Sequence, residues 1–469
     1  MKVNGILTSN KLNTQARWRL NKILLLILSM CWCGISTAGA ATYYVGSGEK
    51  YTTIQAGISA MSGGDTLIVH DGTYNESISS VPRGSSSAYT TIKAEHDGKV
   101  VISGLSLGSS NSYVQIEGLK IKGSSEKGLY GASYIKIMRT AFEGGPSSGN
   151  IKNTMIEDSH HILIEDCWFY GKGGRYNLLM YHSDNVVVRR AVIRHDGGWT
   201  DSKGDPEAGT NAYSSSHIHY QNCIVIDSDQ NYHTWESPFY STADGSESDI
   251  SWRGSIALNN KGTGFYLDPK SGSSLSNILI EDCVSYGHYR GMAFGSQGSA
   301  SGTVNRVTVG NSDEDGLAKW GGGGSISVKN AIVWDVAGEA FRGVSNSNSY
   351  TQNPTSQGLL YLPRIESGSY LSKAGQSGGQ IGAQIVKRIG VSGTLIGEPG
   401  WDTVTAENLW PFPNEERIKA DMATVSTRGF CTSGNTLTTY IWEYLGKNMP
   451  SDIGLSRLPN PDITNISIQ

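Results

Sequence analysis

Apolar and polar residues alternate along this chain in short bursts, and one burst recurs. Six copies align: Tyr113-Val-Gln-Ile-Glu-Gly-Leu, His161-Ile-Leu-Ile-Glu-Asp-Cys, Asn185-Val-Val-Val-Arg-Arg-Ala, His217-Ile-His-Tyr-Gln-Asn-Cys, Asn277-Ile-Leu-Ile-Glu-Asp-Cys and Ser325-Ile-Ser-Val-Lys-Asn-Ala. Tyr134-Ile-Lys-Ile and Asp249-Ile-Ser-Trp are looser copies. A second phrase closes most units: Gly264-Phe-Tyr-Leu, Gly291-Met-Ala-Phe and Gly316-Leu-Ala-Lys, with Gly338-Glu-Ala-Phe a weaker member. Period-2 strands repeated at 20–50 residues predict a stacked β-coil, each turn burying its apolar face against the next.

The second residue of each phrase sets a register: Val114, Ile135, Ile162, Val186, Ile218, Ile250, Ile278 and Ile326. The intervals are 21, 27, 24, 32, 32, 28 and 48, the last being two coils around a degraded copy near Val307. A coil closes in 21–24 residues, so the two coils of 32 each expel a loop. The excess lies in Arg194–Glu207 and Asp227–Glu247, side by side in the stack. Adjacent long polar loops on a rigid coil are where a functional groove is expected.

The ends need covering, because a coil end exposes unpaired backbone and apolar core. Thr53–Ala60 reads as a capping helix, followed by a first coil strand at Thr66–Val69. Beyond about Val391 the repeat stops. Asn414 is placed as the N-cap of one helix, and Leu437–Leu445 reads as another, stopped by Gly446. The predicted organisation is residues 1–40 as signal peptide, 41–390 as β-coil and 391–469 as a C-terminal cap that packs through Trp410, Ile441 and Trp442.

The leader carries Lys2, Lys11, Arg17, Arg19 and Lys22 without an acid, an apolar run from Ile23 to Cys33, and small residues at Ala38-Gly39-Ala40. This reads as a secretory signal, since the apolar run is shorter than the roughly 20 residues a membrane span needs. Secretion to the periplasm or the cell exterior follows, with no membrane attachment after cleavage. Without residues 1–40 the net charge moves from −4 to −9, which disfavours nucleic-acid partners. Oligomeric state is not legible. Of the six cysteines four remain; Cys167, Cys223 and Cys283 share one repeat position and read as a stacked row of buried thiols.

The helix-cap phrase and the Ile-x-Ile-x-x-Asn/Asp-Cys unit followed by Gly-Ile-x-Leu-like strands resemble right-handed parallel β-helix proteins of the pectate-lyase-like superfamily, over about Tyr43–Phe341. The resemblance implies an all-β, right-handed parallel β-helix solenoid with an N-terminal capping helix and a small helical tail. It also puts the active cleft on the loop side. It leaves activity open, because the superfamily holds lyases, hydrolases, epimerases, tailspikes and adhesins.

The loop residues suit attack on an acidic polysaccharide by β-elimination. Such an enzyme must neutralise a uronate carboxylate and remove the C5 proton. Asp201, Asp205, Glu207, Asp227, Asp229 and Asp268 are candidate ligands for Ca²⁺. Arg194, His195, Lys203, His233, Lys261 and Tyr266 are candidate bases or clamps. Trp199, Tyr232 and Trp235 are candidate stacking platforms for sugar rings. Each of these types is also common in solvated loops. Hydrolysis would need a carboxylate pair, for which Asp313/Asp315 and Asp227/Asp229 are options. Leu267-Asp268-Pro269-Lys270 resembles the Asp-Pro-His segment of mannuronan epimerases, with Lys270 in place of His. His217 and His219 flank inward Ile218 and read as a hydrogen-bonded surface pair. The main alternative to an enzyme is a non-catalytic cell-surface, biofilm or glycan-binding module.

Overall fold

The structure is a computed structural model that describes residues 39–145, 150–172, 174–197, 208–229 and 237–453. The chain divides into two compact units, Met1–Ala41 and Thr42–Gln469, and the solenoid lies wholly in the second. The leader read as a signal peptide falls almost entirely outside the described residues. Among those described, no helix is long and apolar enough to cross a membrane.

Each turn of the right-handed parallel β-helix contributes one strand to each of three parallel faces. The first is a 13-stranded sheet running from Thr42–Val45 to Ser345–Ser347. The second and third are joined through the long strand Val100–Gly108, which pairs with Leu119–Gly123 on one and Lys127–Tyr130 on the other. The register of the first sheet follows the repeated phrase: Val114, Ile135, Ile162, Val186, Ile218, Ile250 and Ile278 are successive partners. The degraded copy is at Gly302, not near Val307; Gly302 pairs with both Ile278 and Ile326. A glycine there removes the apolar signal that marks the other copies.

Each phrase ends where the coil turns a corner. Arg139, Asp166, Arg190, Asn222, Asp282, Arg306 and Asn330 all have φ near +50° between the first and second sheets. A single left-handed residue reverses the pleat and turns the chain, and Asn and Asp tolerate it best. The residue after it points inward, which places Cys167, Cys223 and Cys283 in one buried row with Ala191, Val307 and Ala331. Their thiols donate to backbone carbonyls of the neighbouring coil, Cys223 Sγ to Val188 O at 3.1 Å. Burial pushes the Cys167 and Cys223 thiols up to about 12. Native alkylation followed by peptide mass spectrometry should therefore leave all four described cysteines unmodified, and guanidinium should expose all four. Rapid labelling of Cys223 in the folded state would contradict the row.

The Gly of the second phrase has a packing reason. A Cβ on Gly291 would lie 2.3 Å from Val309 Cγ1 and 2.4 Å from Gly316 O. The weaker member is displaced: Phe341 pairs with Leu317, so Ala340 and not Gly338 holds the position of Gly316.

The N-terminal end is closed by α1 (Ile54–Ala60), whose Ile54 and Ile58 join the interior core. Thr53 caps it by accepting from Ala56 N, and Glu76 accepts from the next free amides, Ile54 N and Gln55 N. After the last coil the chain runs back along the corner between the first two sheets as a strap. Its amides find one coil after another: Gln376 N on Asn330, Gln384 N on Asp282, Ile389 N on Asn222 and Gly393 N on Glu165. Leu395 and Trp401 cover Leu163 and Val187 on the first sheet.

The tail then covers the second sheet. α2 (Glu415–Ala423) and α3 (Leu437–Glu443) bury Ile418, Met422, Leu437, Ile441 and Trp442 with Trp410 against Trp168, Ile224, Ile256 and Val284. Asn414 precedes α2 in the left-handed region and makes no side-chain cap bond, whereas α3 has a full Thr436/Thr439 capping box and ends at Glu443, before Leu445. Two faces are thus occupied by the chain's own C-terminal segment. The outer column of the third sheet, Leu179, Asn211, Tyr240, Tyr266, Ala293 and Ala318, is buried too, without contact to that segment in the hydrophobic cluster it forms among the described residues.

Candidate functional site

Side chains on the third sheet alternate in and out. Leu178, Thr210, Phe239, Phe265, Met292 and Leu317 share one register position, and most of them lie in the interior core. Their neighbours Leu179, Asn211, Tyr240, Tyr266, Ala293 and Ala318 form the outer column. At the centre of that column polar groups replace apolar ones.

Asn211 is fully buried, and both its amide atoms lack a hydrogen-bond partner among the described residues. The next two rungs carry Tyr240 and Tyr266, nearly buried, with ring centroids 5.4 Å apart. Asp268 follows on the same run. Its Oδ2 accepts from Tyr240 OH at 3.2 Å and its Oδ1 from Ser296 Oγ at 3.1 Å, with a further hydrogen bond from Tyr266. Burial raises the Asp268 carboxyl above the ordinary range, against the opposing pull of those hydroxyls. Burial, helped by the Asp268 charge, drives the Tyr240 and Tyr266 phenols upward as well. The carboxylate is a stronger base than usual, and the phenols stay protonated at neutral pH.

Two edges flank this centre. On one, His182 stacks on Tyr181 at 3.9 Å, Tyr181 meets Tyr213 edge-on at 5.2 Å, and Lys270 Nζ lies 4.8 Å over the Tyr213 ring. On the other, the Arg290 guanidinium lies 4.4 Å over exposed Trp320 and is held by Glu314.

Of the residues singled out from the sequence, those described fall in two places on this side of the coil and in the contact with the tail. Tyr266 and Asp268 stand together on the outer face. Lys261 and Asp229 form an exposed pair at 3.3 Å on the corner between the second and third sheets. They line a cavity of about 430 Å³ with Asn259, Tyr289, Asp313 and Arg428. A bend at Gly262 and the strand Thr263–Leu267 separate Lys261 from Asp268, a path of at most about 23 Å. Asp227 is given to the tail, accepting from Phe430 N at 2.9 Å, Asn259 Nδ2 at 2.6 Å and Tyr440 OH at 3.1 Å. Arg194 is fully buried, paired with Asp196 at 2.9 Å and donating to Met422 O at 2.7 Å. His195 is also fully buried; its Nδ1 accepts from Gly197 N, Nε2 faces Gly174 O, and burial keeps the ring neutral. Arg194 and His195 are held beneath the C-terminal segment, whereas Asp227 bonds that segment and also lines the cavity of Asp229 and Lys261. Trp199, Asp201, Lys203, Asp205, Glu207, Tyr232, His233 and Trp235 lie outside the described residues. His219 faces Ser251 Oγ at 2.8 Å and packs on Trp401, rather than pairing with His217.

Calcium takes six to eight oxygen ligands. Among the described residues Asp268 is the one proposed ligand on the outer face, and Asp227 and Asp229 are elsewhere, so the described residues do not assemble such a set. The group of potential ligands they do contain, Asp71, Glu95 and His96, is exposed near the N-terminal end of the solenoid.

Sequence reasoning missed Asn211 and Tyr240. Their strands, Ala208–Tyr213 and Ser237–Thr242, do not read as the Gly-apolar-x-apolar phrase. The signal was the Phe-Tyr pair at Phe239-Tyr240, repeated at Phe265-Tyr266.

No family model matches the chain, and no curated protein does. Solved structures with a similar fold include pectate lyase Pel9A, 13% identical, covering 74% of this chain and 97% of that one with a TM-score of 0.44. They also include alginate lyase from Paenibacillus sp. str. FPU-7, at 12% identity, 67% and 98% coverage and a TM-score of 0.34. A third is the A-module of the Azotobacter vinelandii mannuronan C-5 epimerase AlgE4, at 12% identity, 64% and 91% coverage and a TM-score of 0.35.

Proposed function

We propose that this chain is an exported, carbohydrate-active β-helix protein that cleaves an acidic, uronate-containing polysaccharide by β-elimination. The observation that carries the reading is the partly exposed Asp268 carboxylate beside Tyr240 and Tyr266, with Asn211, buried and unpartnered among the described residues, one rung beyond Tyr240. A buried amide without a partner is costly unless a ligand supplies one. A uronate carboxylate fits: the amide N–H donates to it and stabilises the charge that builds when C5 loses its proton. The Asp268 carboxylate takes that proton. The C5 electron pair forms the C4=C5 double bond, the C4–O4 bond breaks, and O4 takes a proton from a tyrosine phenol on the same face. Tyr240 and Tyr266 are suited to donate, because burial keeps them neutral.

Incubation with a panel of uronate polymers should release product absorbing at the wavelength of unsaturated uronates. Tyr266→Phe should lower kcat by about 10²-fold, the scale of a general acid. A panel that yields no unsaturated product would leave the second reading, a glycan-binding module, which the exposed Trp320 and the Tyr181–Tyr213 edge favour.

A further inference from the structure

Lys270 lies outside the acid–base centre, and its surroundings suit a different task. Asp268 N donates to Ser241 O and Lys270 N to Ala243 O, so the run follows the neighbouring coil through both residues. Residues two apart in such a run share a face about 7 Å apart. The Lys270 side chain is about half exposed at 53%, and its Nζ meets the Tyr213 hydroxyl while lying over the Tyr213 ring. Among the described residues the nearest carboxylate, Asp244, is 3.8 Å away, and its other oxygen accepts from Ser214 Oγ. A weakly neutralised ammonium beside a phenolic hydroxyl offers an incoming anion a charge and a second donor together. The ammonium sits one short step from the reacting centre, on the scale of one sugar residue.

We infer that Lys270, with Tyr213, reads the carboxylate of the uronate next to the one that reacts, so that this protein selects free-acid polymer over its methyl ester. The inference rests on the outer face being the polysaccharide site. Lys270 is a specificity-determining residue in this scheme; the elimination itself is assigned to Asp268, the phenols and Asn211.

The test compares one uronan backbone as free acid and as methyl ester, with wild type, Lys270→Gln and Tyr213→Phe. Affinity electrophoresis reads binding, and unsaturated product reads turnover. Wild type should bind the free acid at least tenfold more tightly than the ester. Lys270→Gln should bring that ratio near unity with unchanged melting, the loss on the free acid appearing in KM rather than in kcat. Tyr213→Phe should fall between. A Lys270→Gln protein that keeps the wild-type ratio overturns the inference. If wild type binds selectively without forming product, and Lys270→Gln loses the selectivity, the inference stands and the lyase reading fails. Absence of binding to either polymer by wild type overturns both.

Discussion

Replacing Glu165 by Ala should be the most destabilising single change outside the apolar core, at about 3–5 kcal/mol, the scale for breaking a buried ion pair. Its carboxylate is fully buried and accepts from Arg189 Nη1 and Arg190 Nη2, each at 2.7 Å, from Gly393 N at 3.1 Å and from Ser392 Oγ. Arg189 in turn donates to Val391 O at 2.8 Å and Trp401 O at 2.9 Å, so the pair holds both the coil and the strap. Without Glu165 two buried guanidinium groups lose their shared counterion. Burial alone would raise the Glu165 carboxyl, but Arg190 and Arg189 outweigh it and hold it below the ordinary value. A carboxyl depressed in the folded state stabilises above its unfolded pKa of about 4.3 and loses that contribution as pH falls through the folded value. The gap in melting temperature between wild type and Glu165→Ala should therefore be full at neutral pH and narrow well below pH 4. A gap that stays constant into strong acid would show that the loss is one of packing and not of charge.

Asp268→Asn should abolish turnover, by roughly 10²–10⁴-fold in kcat/KM, if Asp268 is the base. It should leave melting unchanged or slightly raised. The raised carboxyl of Asp268 has the opposite sign to that of Glu165. Folding favours its neutral form, so its ionised form opposes folding at every pH above the unfolded value, and an amide removes that penalty. The acid limb of kcat/KM should lie above 3.8, where an unperturbed aspartate would put it. Full turnover by Asp268→Asn would remove the site from this face. Inactivity together with a large fall in melting temperature would make Asp268 a structural residue.

The two carboxylates show why one was legible in sequence and the other was not. Asp268 was picked out because period 2 along Gly264-Phe-Tyr-Leu puts Tyr266 and Asp268 opposite the inward Phe265 and Leu267, a local argument that the register upholds. Glu165 belongs to a repeated phrase and looks like any surface acid beside a corner. Its partners Ser392 and Gly393 are 227 and 228 residues away, and nothing local announces them. The tail contacts of Arg194 and Asp227 were illegible for the same reason: at a loop's start they read as groove residues, and Met422 and Phe430 reach them from over 200 residues away.

Hydrophobic periodicity by itself determined the solenoid, the coil register from Val114 to Ile278, the capping helix and the shared row of Cys167, Cys223 and Cys283. These follow from alternation within one coil and from repetition between coils, both of which are local or periodic in the chain. Only the tertiary structure decided which faces the strap and tail occupy, since that depends on where they dock. It also brought Asn211, Tyr240 and Asp268 from three successive coils onto one face, because stacking converts separations of 28 and 29 residues into neighbouring rungs. Burial then set their chemistry: the same fold that leaves an amide unpartnered raises a carboxyl and keeps two phenols protonated, and no composition or spacing carries that information.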